Sequence, residues 1–207
     1  MEVYTTENEQ VDAIRNFFKE NGKAIVVGIV IGFGALFGWR YWQSHQTENM
    51  ARASMSYQQA SESLTGGKAD GVSRMEAFIK ENQNSYGVLA AMQLAQHQVD
   101  KKDFAGAEKQ LSWAAAQNKD QNLAALIDLR LARVQLQEKK YDEAQKTLDR
   151  VTAKGWVAMA DEVRGDVLVA KGDQQGARNA YSKGLASSEA SQSLQALLKM
   201  KLNNLSS

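Results

Sequence analysis

The side chains of this 207-residue chain with the chemistry to act on a substrate are two histidines, His45 and His97, and a few adjacent carboxylates. Acid–base catalysis or metal binding needs such groups to converge, and neither histidine has a carboxylate at metal-ligand spacing. His45 borders an apolar segment and His97 lies on a helix face, so both read as solvated or packed. The pairs Asp142-Glu143 and Asp161-Glu162 could share a proton, but they are expected in first helical turns, where negative charge offsets the helix dipole. With no cysteine there is no disulfide, thiolate metal site, cysteine nucleophile or lipidated cysteine. No phosphate-cradling glycine loop occurs, and Gly155-Trp156, a conceivable ligand platform, reads as a turn followed by a packing tryptophan. The expectation is a non-catalytic chain with no cofactor and no metal.

Whatever the chain does must then come from its elements. Ala24 to Trp39 (AIVVGIVIGFGALFGW) carries no charge, and extended through Trp42 it covers about 28 Å as a helix, close to the thickness of a bilayer's hydrocarbon. Trp39, Tyr41 and Trp42 form an interfacial cluster at one end, Arg40 can snorkel outward, and Phe17 and Phe18 lie near the other end. A cleavable signal peptide is the competing reading. Its nearest A-x-A site, Ala51-Arg52-Ala53, falls well past the aromatic cluster, and the preceding tail is rich in glutamate, which favours an uncleaved anchor. Arg15, Lys19 and Lys23 before the span against Arg40 and Arg52 after it give a slight bias that keeps the tail in the cytoplasm. Within the span, Gly28 with Gly32 and Gly34 with Gly38 make two smooth patches where another helix could approach, or where glycine is merely tolerated.

Beyond the span, Met50, Ala53, Tyr57, Ala60 and Leu64 recur at three- and four-residue steps and continue the helix until Gly66-Gly67. A short helix around Ser73 to Glu81 follows. One pattern then recurs three times: LAAMQLAQHQVDKKDFAGAEKQLSWAAA from Leu89, LIDLRLARVQLQEKKYDEAQKTLDRV from Leu126 and MADEVRGDVLVAKGDQQGARNAYSKGL from Met159. Aligned on Ala107, Ala144 and Ala177, the first helices carry Leu94-Ala95, Leu131-Ala132 and Arg164-Gly165, and the second helices Leu111, Leu148 and Tyr181. Asp103 and Asp173 are expected N-caps, and Gly172 a helix terminator. The periodic stretch Ser191 to Leu205 is expected to cap the stack.

This pattern resembles the tetratricopeptide repeat, a helix-turn-helix unit whose stacks curve and receive a peptide or protein on the face made by first helices. The fold class expected is therefore all-α: one N-terminal transmembrane helix, then a tetratricopeptide-repeat-like α-solenoid of helical hairpins with a C-terminal capping helix. The divisions are 1–23 tail, 24–42 anchor, 43–82 linking helices and 83–207 repeat domain. Gln96, Arg133 and Asp166 fall at equivalent first-helix positions and are the candidate groove residues. Lys plus Arg number 25 against 24 Asp plus Glu, so the chain is near neutral and nucleic acid is an improbable ligand.

Taken whole, the chain resembles the YfgM family through QVDAIRNFFKENGKAIVVGIVIGFGALFGWRYWQSHQ, LRLARVQLQ, RGDVLVAKGDQQGARNAY and the closing KMKLNNL. That resemblance implies a single-pass protein of the bacterial inner membrane with a cytoplasmic N-terminus and a periplasmic repeat domain. It also implies an ancillary role at the SecYEG translocon beside the periplasmic chaperone PpiD. Translocated or unfolded polypeptides would be passed to periplasmic chaperones, and a response regulator of the Rcs system would be restrained from the cytoplasmic side. A structural scaffold for another envelope complex, without client handling, is the alternative. A third reading makes the tail active through Val11, Ile14 and Phe18 beside Arg15 and Lys19.

Overall fold

The computed structural model describes residues 7–205, and among them every regular element is a helix. The first six residues of the expected tail lie outside the described residues. The chain divides into two compact units, with the boundary between Arg52 and Ala53.

Among the described residues of the first unit the only element is the leading part of α1 (Glu7–Thr65). Its apolar side chains have no protein shell: Phe33, Phe37 and Trp39 are more than half exposed. Among the described residues α1 is the one helix long and apolar enough to cross a membrane. Its aromatic side chains pack along its own surface, Phe33 on Phe37 at 6.4 Å and Trp39 on Trp42 at 5.5 Å between ring centroids.

The second unit takes up the end of α1 and all the other helices. They are α2 (Gly71–Glu81), α3 (Ser85–Asp100), α4 (Phe104–Gln117), α5 (Gln121–Gln137), α6 (Tyr141–Asp149), α7 (Lys154–Lys171), α8 (Gln174–Ala186) and α9 (Gln192–Asn204). Pairs α3/α4, α5/α6 and α7/α8 are hairpins, each packed on the next, and α9 closes against α8. Ala60 and Leu64 of α1 bury against Met75, Phe78 and Leu94, while Tyr57 donates to Gln93 at 3.0 Å. A second core joins α5, α6 and α7 through Leu129, Ala132, Leu148 and Val163. A third seats Leu198 of α9 on Ala177 and Tyr181 of α8.

The turns follow their local chemistry. Asp103 and Asp173 accept amide hydrogens from Gly106 at 3.0 Å and Gly176 at 2.8 Å, satisfying otherwise orphaned helix-start donors. Gly172 ends α7 in the left-handed region at φ 88°. The same place in the two earlier hairpins is held by Lys102 at φ 62° and Lys139 at φ 61°, which lack glycine's freedom there.

One placement differs from expectation. Asp161 and Glu162 do not open a helix: α7 starts at Lys154, because Gly155 and Trp156 join its first turn, and both acids lie buried in mid-helix. Asp142 and Glu143 do occupy the first turn of α6.

Candidate interaction furrow between α3 and α5

Residues three or four apart share one face of a helix. On α3 that rule aligns Leu89, Met92, Gln96 and Val99, and on α5 it aligns Leu126, Arg130, Arg133 and Gln137. These stripes border two consecutive cavities. The cavity at the N-terminal ends of the two helices, of about 820 Å³, is lined by Leu89, Leu126 and Trp156 with the amides of Asn84 and Asn118. The cavity at their C-terminal ends, of about 570 Å³, is floored by Met92, Val99 and Phe104 and edged by Lys102, Arg130 and Arg133. α5 also packs directly on α7.

Two of the three residues picked from the repeat register meet here. Gln96 and Arg133 both line the second cavity from opposite helices. Gln96 donates to Asp100 at 3.0 Å, and Arg133 donates to Glu162 at 3.1 Å. Asp166 is elsewhere. Its carboxylate accepts from the Tyr181 hydroxyl at 2.7 Å and from the Lys201 ammonium at 2.5 and 2.6 Å, in the contact of α7 with α8 and α9. The third hairpin is the one covered by α9, so its first-helix position faces a partner helix.

That contact is a charge network. Lys201 also donates to Glu162, which is only 4% exposed, and its ammonium sits 5.7 Å from the centre of the Tyr181 ring. Burial works to lower the Lys201 pKa, but the hydrogen bonds its ammonium donates to Asp166 and Glu162 outweigh it and hold the group above the ordinary lysine value. Burial, reinforced by the bond to Asp166, raises the Tyr181 phenol well above its usual range. Another buried acid, Asp128 of α5, pairs with Arg150 at 2.5 Å.

In the first unit His45 stacks its ring on Tyr41 at 6.4 Å, and in the second His97 lies in the last turn of α3. Among the described residues no group of three or more His, Asp or Glu side chains is placed to hold a metal ion. Trp156 packs on the second core while bordering the furrow. The repeat register alone misses Leu89, Arg130 and Trp156, although the α3 stripe that contains Gln96 also contains Leu89 and the α5 stripe that contains Arg133 also contains Arg130. In the first unit, Gly28, Gly32, Gly34 and Gly38 have open space where a side chain would project. Helical geometry sets the two pairs on faces about 120° apart.

Comparison with known proteins covers both units. The family model described as a tetratricopeptide repeat-like domain matches residues 15–207. The protein named ancillary SecYEG translocon subunit from Escherichia coli (strain K12) is 48% identical over 206 residues, covering 100% of each chain. Its namesake from Haemophilus influenzae is 38% identical over 204 residues, covering 98% of this chain and 99% of the relative. That from Aggregatibacter actinomycetemcomitans is 40% identical over 204 residues, with the same coverage. With a repeat-like domain matched almost end to end and full-length relatives at this identity, the chain belongs to the family of ancillary SecYEG translocon subunits.

Proposed function

We propose that this protein is a single-span accessory subunit of the SecYEG translocon in a bacterial inner membrane, which binds translocated polypeptides and helps pass them to periplasmic chaperones. In this reading residues 1–23 are cytoplasmic, 24–42 cross the membrane, 43–82 link and 83–207 form the periplasmic binding domain. The observation that carries it is the end-to-end match to proteins named ancillary SecYEG translocon subunits, to which the resemblance of the sequence adds the passing of chains to chaperones. The exposed apolar surface of α1 and the open furrow between α3 and α5 support it physically. A tether holds the furrow near a channel exit and raises its effective concentration for emerging chains, so weak binding suffices. Gly28 with Gly32, and Gly34 with Gly38, offer faces on which a helix of a neighbouring subunit can dock.

The resemblance of the sequence adds PpiD as the chaperone neighbour. It also adds the Rcs response regulator as a partner of the tail, where Val11, Ile14 and Phe18 are 59%, 59% and 57% exposed. Deleting residues 2–20 while keeping the span separates the two activities.

Photocrosslinking amino acids at Gln96 and Arg133 in intact cells test the main reading. Adducts with a translocon subunit, PpiD or a nascent chain are expected. Capture of none of these at either position, in a protein still resident in the membrane, sinks it.

A further inference from the structure

The two ends of the α3/α5 furrow differ in charge. The end bordered by Leu89, Leu126 and Trp156 carries neutral amides and one exposed lysine–aspartate neighbour pair, Lys119 and Asp120, which cancel. The other end concentrates Lys102, Arg130 and Arg133 around an apolar floor, against the single acid Asp100, which already accepts from Gln96. Arg133 is engaged by Glu162, whereas Arg130 and Lys102 pair with no carboxylate among the described residues. Arginine left half-buried beside methionine, valine and phenylalanine, without a counter-charge, is electrostatically incomplete.

Leu89 to Gln96 and Leu126 to Arg133 each span about two helical turns, or about 10 Å. An extended chain covers that distance in about three residues. We infer that the furrow takes an extended internal segment of an unfolded polypeptide in which a bulky apolar side chain and an acidic side chain stand two to three residues apart. The apolar group seats among Leu89, Leu126 and Trp156, and the carboxylate reaches Arg130 with Lys102 beside it. Charge complementarity at one end and neutrality at the other set both the composition and the direction of the segment. The inference rests on the proposed function, and it adds which clients the furrow prefers.

The test uses the full-length chain in lipid nanodiscs and fluorescein-labelled peptides of about 12 residues, long enough to exceed the furrow in extended form. Three peptides share leucine and phenylalanine positions and carry glutamate, glutamine or lysine at the spaced polar positions. Binding is read by fluorescence anisotropy at low and moderate salt. The glutamate peptide is expected to bind about tenfold more tightly than the glutamine peptide and more tightly still than the lysine peptide, with the preference shrinking as salt rises. Arg130→Glu is expected to invert the order. Lys102→Glu, at an exposed turn position, weakens the preference and serves if the first variant does not fold.

Equal binding of the three peptides, or an order unchanged in both variants, overturns the charge preference while leaving the furrow as a client site. No binding by any peptide, with crosslinkers at Gln96 and Arg133 silent in cells, overturns both.

Discussion

The ring of Tyr181 fills the space that a side chain on Gly165 would need: a Cβ built there would lie 2.1 Å from Tyr181 Cε1. The equivalent pairs in the earlier hairpins are Ala95 with Leu111 and Ala132 with Leu148, each pair within one core. In the third hairpin the first-helix residue shrinks and the second-helix residue grows, so the volume between helices is kept while a hydroxyl is delivered to Asp166.

This exchange makes Gly165→Ala a sharp probe. Alanine gains up to about 1 kcal/mol of helix propensity, but overpacking against a buried ring costs about 1–3 kcal/mol, so a net loss of stability is expected. Gly155→Ala, with open space around its Cβ, should be neutral or mildly stabilising. Thermal unfolding of both variants by circular dichroism checks the contrast, and a Gly165→Ala melting point above that of the wild type would show that the ring yields without cost.

Much of this architecture is legible in the sequence because its signals are local. Apolar steps of three and four, aspartates at helix starts and Gly172 after α7 each act within one turn of chain. The start of α7 is harder to read, since Gly155 suggests a break but costs a helix little when it sits in the first turn. The surroundings of Asp166 are not local at all. Lys201 lies on α9, far along the chain, and a repeat register assumes that each first helix presents the same face to the same neighbour. The capping helix breaks that equivalence only at the third hairpin.

The three hairpin turns differ at one position in a way that predicts opposite signs. Lys139 adopts φ 61°, a left-handed conformation that costs a non-glycine residue about 1–2 kcal/mol. Lys139→Gly is expected to stabilise the protein by about 0.5–1 kcal/mol after glycine's greater unfolded-state entropy is deducted. Gly172→Lys, placing the same strain in the third turn, should destabilise it by a similar amount. Urea unfolding midpoints of the two variants, measured together, decide the matter, and shifts of the same sign would refute the strain account.

The buried network around Lys201 gives a pH dependence. Lys201 and Tyr181 both have pKa values raised on folding, so each contributes stability that is complete below its unfolded value and lost as pH rises through the folded one. The ordinary values are 10.5 for the lysine and 10.0 for the tyrosine, so the loss should begin near pH 10 and not below it. Tyr57, raised by burial, adds to the slope, so the diagnostic comparison is with Tyr181→Phe, which should flatten the alkaline decline. Lys201→Met, at neutral pH, should cost about 3 kcal/mol by leaving buried Glu162 with Arg133 alone. Chemical denaturation from pH 7 to 11 reads both effects.

Topology can be tested without disturbing any native thiol, because the chain contains no cysteine. Ser188 is exposed between α8 and α9, and Asp12 is exposed near the start of α1. With the tail in the cytoplasm and the repeat domain across the membrane, a membrane-impermeant maleimide added to cells with a permeabilised outer membrane should label Ser188→Cys and spare Asp12→Cys. Asp12→Cys should react only after detergent treatment. The charge bias behind this orientation is slight, since Arg15, Lys19 and Lys23 precede the apolar stretch while Arg40 and Arg52 follow it. The decisive weight therefore falls on the labelling pattern. Reaction at position 12 with protection at position 188 would place the furrow on the cytoplasmic side, away from chains that have crossed the membrane.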